Sequence, residues 1–441
     1  MGLTPGTEEG QGPVEPTTGG VGPPQPIPPD PGRQTARPSV KEAFASLSHR
    51  NYRLWFMGQA ASLVGTWMQL TAQGFLVFQL THSPAFLGYV GFASGAPFWL
   101  FTLFGGVISD RMSLRNLLLM TQTAMMVLAF ILAALTFFGH IHPWHIVLLA
   151  FGLGVANAFD APARQAFVVE LVEREDLGNA IALNSSMINL AVAIGPAISG
   201  VVYALLGPGW CFTINGISFI AVISALLLMR FNLQPPRVRK GTAFDDLKDG
   251  LRYVYSHPTI RMLIAITMMT TIFGMSFFVL LPAWSVKILG GDSATNGFLQ
   301  SARGVGSLIG ALMIASFGRV SIKGKLLTLG SLIFPVLLLV WSAMRWFPLS
   351  LLVLIGVGWG TMLVLNIANI LGQLNVPDRL RGRVMSIYTL GVFGTFPLGA
   401  LLSGTVAEAI GEPTTVALGA LVMLAFAGFL WLRMPQLRSI K

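Results

Sequence analysis

Five polar side chains follow one another along a single apolar stretch of the chain. Their spacing alternates between three and four residues, so all five fall on one face of a helix. They are Gln59, Ser62, Thr66, Gln69 and Gln73. Such uncharged hydrogen-bonding groups suit a weakly charged or amphipathic ligand. Because a polar face is costly against hydrocarbon, the stripe is predicted to line water or a substrate; hydrogen bonding to a neighbouring helix is the alternative.

Charged residues are rare within the apolar stretches. Arg303 lies near the middle of one, where an arginine is costly unless it faces a cavity or a partner, so it is a candidate contact for a substrate or for coupling. Asp160 ends another stretch, with Arg164 one turn later. Asn366 is a further candidate for the cavity wall, whereas Glu408, toward the end of its stretch, is expected to meet water.

The sequence lacks the motifs that mark common enzymes. It has no Gly-x-x-x-x-Gly-Lys phosphate loop, no His-Glu-x-x-His pair and only one cysteine, Cys211, so no catalytic activity, cofactor or metal is expected. Of the 441 residues, 54% are hydrophobic and 10% are charged, against about 25% charged in a soluble domain, which excludes a soluble globular protein. The net charge of +10 is spread through short gaps, a pattern that favours membrane topology over nucleic-acid binding.

Twelve apolar segments are long enough to cross a bilayer. They lie at about 54–80, 85–108, 116–138, 144–161, 177–205, 210–230, 260–288, 295–317, 326–345, 349–373, 384–409 and 413–432. The predicted fold is therefore an all-α membrane protein. Its domains are a disordered Pro/Gly-rich tail, a six-helix bundle, a linker with an amphipathic helix on the inner membrane surface, a second six-helix bundle and a short tail. Their bounds are 1–45, 46–230, 231–259, 260–434 and 435–441.

Lysine and arginine are concentrated in alternate gaps between these segments. One set of gaps, which includes both termini, carries nearly all of them, and the other offers only Lys287 and Arg345. Cytoplasmic loops carry this excess, so both termini are predicted to be cytoplasmic in a multi-pass protein of the plasma membrane.

The two halves of the chain resemble each other. Gly88 and Gly95 recur as Gly297 and Gly304, and other matches follow in the same order with shifts between 204 and 209. They include Asn157 with Asn366, and Ser199 and Gly200 with Ser403 and Gly404. Two six-helix copies in the same orientation can enclose a path along the membrane normal, which is the geometry of a transporter.

A sequence motif lies at the end of the second apolar segment. Gly106, Asp110, Arg111 and Arg115 match the pattern that the major facilitator superfamily carries between its helices 2 and 3, which is Gly-x-x-x-Asp-Arg-x-Gly followed by basic residues. Ser113 replaces the second glycine, and Leu114 replaces the first of the following basic residues. The chain resembles that superfamily from about residue 45 to 435. By this resemblance Asp160 would pair with Arg115 as a latch of the inner side; a proton carrier and a simple helix-end charge are the alternatives for Asp160.

A second motif lies in the fifth segment. Gly195, Pro196 and Gly200 resemble the superfamily's antiporter motif, with Ala191 and Ser199 in place of two glycines. The resemblance implies export, while a kinked packing helix without an export role is the alternative.

The resemblance extends to the drug-exporting branch that includes enterobactin and macrolide exporters. It implies a monomer in the bilayer that exports amphipathic small molecules by alternating access, with protons as the coupling ion. An uptake permease or lysolipid flippase on the same fold is a second hypothesis. A non-transporting membrane protein that acts through its tail is a third.

Overall fold

The structure is a computed structural model that describes residues 1–2, 44–230, 243–316 and 323–433, without the side chains of 102–111, 243–247 and 315–316. Within this part it contains twelve long helical segments. They are α1 (Arg50–Thr81), α2 (Pro84–Arg111), α3 (Leu114–Phe137), α4 (Pro143–Glu170), α5 (Leu177–Leu206), α6 (Pro208–Leu228), α7 (Pro258–Ile288), α8 (Ser293–Ser316), α9 (Lys323–Ser342), α10 (Phe347–Leu374), α11 (Asp378–Ile410) and α12 (Glu412–Arg433). The all-α membrane fold with twelve segments is confirmed.

Ten of these helices are long and apolar enough to cross a membrane by length and composition. α1 falls short because the glutamines of its polar stripe lower its hydropathy. Several helices extend beyond the apolar segments that predict them; α4, for instance, continues past 161 to Glu170. Charged residues can continue a helix beyond the hydrocarbon, and hydropathy does not register that extension.

Proline and glycine separate consecutive helices. Pro84, Pro143 and Pro208 begin helices, where the missing N–H would have no partner inside the helix. Gly207 joins α5 to α6 with a φ of 88°, and Gly411 joins α11 to α12 with a φ of 85°. Both need the left-handed region that glycine adopts without strain, and they stand at equivalent places in the two copies.

The repeated glycines meet across the boundary between the two copies. A Cβ placed on Gly404 of α11 would lie 2.6 Å from the Cα of Gly88 in α2. A Cβ on Gly297 of α8 would lie 2.9 Å from the Cα of Gly200 in α5. We call these contacts the α2–α11 seam and the α5–α8 seam. Glycine lets the two backbones touch, so the internal repeat recognised in sequence is also a repeat of packing.

Both seams lie toward the end of the bundle that carries the α1–α2 loop. Following the charge pattern of the sequence, we call this end the predicted outer face and the opposite end the predicted cytoplasmic face. The seams continue inward to the middle of the helices, where Gly95 approaches Pro397 and Gly304 approaches Val192. The two copies are thus packed together from the predicted outer face to the middle of the bundle.

The second copy is wound less regularly than the first. α7 contains wide π-type turns at Thr270–Met275 and Trp284–Ile288, with a 3-10 segment at Ser276–Leu280 between them. α11 contains a similar wide turn at Leu390–Gly394. The corresponding helices of the first copy, α1 and α5, are continuous α-helices. Wide turns of this kind are frequent at functional sites.

The amphipathic segment of the linker is a helix, Ala243–Ser256, which we call the linker helix. In the structure it packs against the start of α11, and its position at the inner membrane surface remains a prediction. Val254 is buried in a cluster with Val384, and Asp249 contacts Arg383 through its carboxylate oxygen Oδ2 at 2.5 Å. Val254 of its apolar side is thus buried against protein, whereas Leu251 is exposed. The predicted domain boundaries, including the disorder of the N-terminal tail, remain predictions, and residues 3–43 of the tail lie outside the described residues.

Candidate functional site

A cavity of about 290 Å³ lies between the two copies. α1, α2 and α4 line it from the first copy, and α7, α8 and α11 line it from the second. The irregular turns of α7 and α11 contribute Met275 and Phe393 to its wall. A binding site beside interrupted helices is common in transporters, because irregular backbone at membrane depth is tolerated only inside protein or beside water.

The cavity wall is mainly apolar, with a few amides. Phe278 of α7 and Phe396 of α11 stack with their ring centroids 5.0 Å apart. The wall also includes Trp67 and the amide side chains of Gln73 and Gln300. Apolar walls with a few polar groups are typical of sites for small organic molecules, in which the polar groups fix the orientation of the ligand.

Gln300 also connects the two copies. Its Oε1 accepts a hydrogen bond from the hydroxyl of Thr71 in α1 at 3.3 Å, and its Nε2 donates to Asn296 one turn earlier in α8. A molecule that enters the cavity therefore meets an amide that is bonded to both halves of the protein.

The polar stripe of α1 divides between two environments. Gln73 lines the cavity, whereas Gln69 accepts a hydrogen bond at 2.7 Å from the amide of Asn215 in α6. Thr66 donates to the carbonyl of Ser62 within α1. Gln59 is 1% exposed, and its Oε1 has no hydrogen-bond partner. Gln69 thus forms the helix-to-helix hydrogen bond that was the alternative to lining a cavity. Both environments occur because one face of α1 contacts α6 and the cavity.

Asn366 lies outside the cavity wall. Its amide donates to the carbonyl of Met362 within α10 at 3.2 Å. The structure therefore does not bring Asn366 together with Gln73 and Gln300.

Arg303 lies in α8, one turn after Gln300. Its side chain is 7% exposed, and its guanidinium carbon Cζ stands 4.9 Å from the ring centroid of Phe278. The buried Nε has no hydrogen-bond partner. Through Phe278 this cation borders the cavity.

Asp160 is 1% exposed near the predicted cytoplasmic side of α4. Its Oδ1 accepts hydrogen bonds from the Thr121 hydroxyl at 2.8 Å and from the Gln122 amide at 2.9 Å, both from α3. Its Oδ2 lies 3.7 Å from the Nε of Arg164 and accepts no hydrogen bond from the described residues. Asp160 is therefore held by two neutral donors and faces one cation of its own helix.

The expected pair between Asp160 and Arg115 is not formed in this structure. Arg115 donates from Nε to the carbonyl of Leu226 at 2.8 Å and from Nη2 to that of Leu227 at 3.1 Å. These carbonyls belong to the last turn of α6, where a cation is stabilised by the helix dipole. The side chains of Gly106, Asp110 and Arg111 lie outside the description, although α2 ends at Arg111 as the motif predicts.

The motif of the fifth helix packs α5 against both copies. A Cβ on Gly195 would lie 2.7 Å from the Cβ of Trp67 in α1, and Gly200 belongs to the α5–α8 seam. Pro196 lies inside α5, and its carbonyl is the atom nearest to Gly297 in that seam. The small residues of the motif thus bring α5 against a helix of its own copy and a helix of the other.

A carboxylate joins the two copies at the predicted outer face. Oε2 of Glu408 in α11 accepts a hydrogen bond from the hydroxyl of Ser83 at 2.7 Å and from the backbone N–H of Ala85 at 3.2 Å. Ala85 is the second residue of α2, so Glu408 caps the N-terminus of a helix in the other copy. Its exposure agrees with the expectation that it meets water, and the contact across the copies was not anticipated.

Sequence reasoning did not identify three residues of the cavity, which are Gln300, Phe278 and Phe396. Gln300 had a usable signal, since it is a polar residue three positions before Arg303 in an apolar helix. The two phenylalanines had none, because 30 phenylalanines are distributed through the chain.

Two six-helix copies that enclose a cavity on their shared axis define a membrane transporter of the major facilitator type. The family model described as transmembrane secretion effector matches residues 41–441, and the chain belongs to that family.

Curated relatives align with most of the chain. A staphyloferrin A transporter of Staphylococcus aureus is 24% identical over 83% of this chain and 92% of its own length. The multidrug efflux pump Tap of Mycolicibacterium fortuitum is 26% identical over 85% and 93%. An enterobactin exporter of Shigella boydii is 23% identical over 89% and 94%.

Solved structures of other transporters share the fold. A bacterial homologue of the human lysosomal transporter Spinster, in an inward-facing and unoccupied conformation, superposes with a TM-score of 0.67 at 14% identity, covering 91% of this chain and 98% of its own. The nucleoside transporter NupG gives a TM-score of 0.68 at 12% identity, covering 87% and 98%.

Proposed function

We propose that this protein exports amphipathic small molecules from the cytoplasm by alternating access, driven by proton antiport. The observation that carries the proposal is the apolar cavity between the copies, which the two seams close on the side of the predicted outer face. In this proposal Asp160 lies on the cytoplasmic side, to which the charge pattern of the sequence also assigns both termini. Two relatives, the multidrug efflux pump Tap and the enterobactin exporter, are named for efflux or export and support the direction of transport.

The two seams are the contacts that must open during transport in this proposal. They hold the two copies together between the predicted outer face and the middle, and we take this arrangement as the inward-facing conformation of the proposed cycle. Export then requires the copies to separate at the seams and to close at the predicted cytoplasmic face. A substrate in the cavity shifts this equilibrium only by binding one of the two conformations more tightly.

Asp160 is the group that we assign to proton coupling. Its Oδ2 faces Arg164 and accepts no hydrogen bond from the side chains that the structure describes, so we assign the proton to this oxygen. Protonation removes the negative charge that attracts Arg164 and frees that arginine. Loss of the proton restores a carboxylate that can attract a cation of the neighbouring loop, such as Arg115, when the cytoplasmic side closes. The proton thereby selects between two conformations.

The test uses the purified full chain in proteoliposomes with a fluorescent amphipathic cation such as ethidium. Under an imposed pH gradient, the wild-type protein is expected to move ethidium, and a protonophore is expected to abolish that movement. Asp160→Asn should bind ethidium as the wild type does but lose the response to the gradient. Asp249→Asn, which changes an exposed carboxylate of the linker helix, is the matched control and should transport normally.

Two results would contradict these assignments. If no amphipathic compound moves under any gradient, export itself is wrong. If Asp160→Asn keeps the full response to the pH gradient, or loses binding and transport equally, coupling does not pass through Asp160.

A further inference from the structure

Arg303 is a buried cation without a counter-charge among the described residues. Its side chain is 7% exposed, no carboxylate of the described chain forms an ion pair with it, and its Nε donates no hydrogen bond. The interaction that holds it is the face of Phe278, 4.9 Å from its Cζ. A buried charge is costly unless it is paired, so an arginine in this position is suited to a negatively charged partner.

Its position fits a partner that occupies the cavity. Gln300 and Phe278 are part of the cavity wall, and Arg303 follows Gln300 by one turn toward the predicted cytoplasmic face. A substrate that enters from the cytoplasm would pass Arg303 before it reaches the aromatic pair of Phe278 and Phe396. The guanidinium lies against the ring of Phe278, and its buried Nε has no hydrogen-bond partner among the described residues.

We propose that Arg303 binds an acidic group of the substrate, and that the exported molecules include amphipathic carboxylates. This inference rests on the proposed export function and specifies its substrate class. The apolar body of the molecule occupies the cavity against Phe278 and Phe396, with Gln73 and Gln300 as further hydrogen-bonding groups. The planar guanidinium matches the two oxygens of a carboxylate, a geometry that a lysine does not reproduce.

The proposal differs from two simpler roles for Arg303. If the arginine only packs on Phe278, its replacement changes the affinity for acidic and neutral molecules alike. If it only couples transport to protons, its replacement changes the response to the pH gradient and leaves binding intact. A preference for the acid over its neutral amide is the property that substrate recognition alone predicts.

The experiment measures binding of 1-naphthaleneacetate and 1-naphthaleneacetamide to the full purified chain, by quenching of tryptophan fluorescence. The two probes share an apolar body and differ in charge. We expect the wild type to bind the acid at least tenfold more tightly than the amide. Arg303→Gln should remove this preference, with the amide affinity unchanged within twofold, and Arg303→Lys should give an intermediate preference.

Arg345→Gln is the matched control. Arg345 also faces an aromatic ring, with its Cζ 5.7 Å from the Trp284 ring, but it lies beyond the cavity at the predicted outer face. This variant should keep the full preference for the acid. Thermal unfolding of each variant, with and without the acid, checks that the protein is folded. The acid should raise the melting temperature of the wild type more than that of Arg303→Gln.

The outcomes separate this inference from the export function. Equal affinity of the wild type for both probes, or an acid preference that survives Arg303→Gln, would overturn the role of Arg303 while ethidium export still stands. Equal loss of affinity for both probes in Arg303→Gln would assign the arginine to packing. Absence of both ethidium transport and probe binding in the wild type would count against the export function as well.

Discussion

The α2–α11 seam makes a quantitative prediction for Gly404→Ala. The new Cβ would stand 2.6 Å from the Cα of Gly88 and 2.7 Å from the carbonyl oxygen of Pro84. Carbon atoms attract each other best at roughly 3.5–4.0 Å, so the helices must move apart by about 1 Å. Overpacking of this kind costs about 1–3 kcal/mol.

This cost applies to one conformation only. When the copies separate at the predicted outer face, the Cβ meets no backbone, and the gain in helix propensity from alanine is the same in both conformations. The equilibrium should therefore shift toward the outward-open form by about 5- to 150-fold, the factor that corresponds to 1–3 kcal/mol.

The shift can be measured as a distance between the two copies. Spin labels at positions 140 and 346 report it, because His140 and Trp346 are exposed in loops of the predicted outer face, one in each copy. The buried Cys211 would be replaced by alanine in this background. Double electron–electron resonance on Gly404→Ala should reveal a longer distance that is scarce in the wild type.

A matched control separates the seam from a general effect of alanine. A Cβ on Gly428 of α12 meets nothing within 4 Å, so Gly428→Ala should leave the distances unchanged. The reasoning would be refuted if Gly404→Ala is folded and shows the wild-type distance distribution, or if Gly428→Ala shifts it equally.

Two further predictions concern the outer contact and the polar stripe. Glu408→Gln weakens the cap on α2, a contact worth about 0.3–1 kcal/mol at an exposed helix end, and should shift the same distance equilibrium about two- to fivefold toward the outward-open form. Asp292→Asn, which removes the charge from a helix cap within one copy, should leave the equilibrium unchanged, and an equal shift in both variants would refute the assignment. Gln73→Leu should alter the profile of transported compounds. Gln69→Leu leaves the Asn215 amide without its partner, so it should lower the melting temperature and retain the profile. The opposite pattern in transport and unfolding assays would contradict the assignment of Gln73 to the cavity and of Gln69 to the contact with α6.

Much of the architecture could be predicted from sequence because the bilayer restricts the choices. Apolar segments of sufficient length predict helices, and the repeat of Gly88 as Gly297 predicts equivalent packing in the two copies. The burial of Arg303 follows from its position in such a segment. These features depend on local composition and on spacing along the chain, which a sequence displays directly.

The features that the sequence does not predict depend on which residues become neighbours in the folded protein. The period of the stripe places Gln69 and Gln73 on one face of α1, but it does not specify that Asn215 lies opposite the first and the cavity opposite the second. Likewise the sequence does not specify that Asp160 contacts Thr121, Gln122 and Arg164 rather than Arg115. Side-chain partners of this kind are set by tertiary packing.

The difference in winding between α1 and α7 has a mechanical consequence. An unbroken helix transmits a tilt along its whole length, whereas a helix with widened turns can bend locally at little cost. The first copy should then move as a rigid body. The second copy should bend beside the cavity as a molecule enters or leaves. Bending of the second copy would let the cavity accept substrates of different shapes. The first copy would keep its shape while the protein changes conformation, so the two properties belong to separate copies of the repeat.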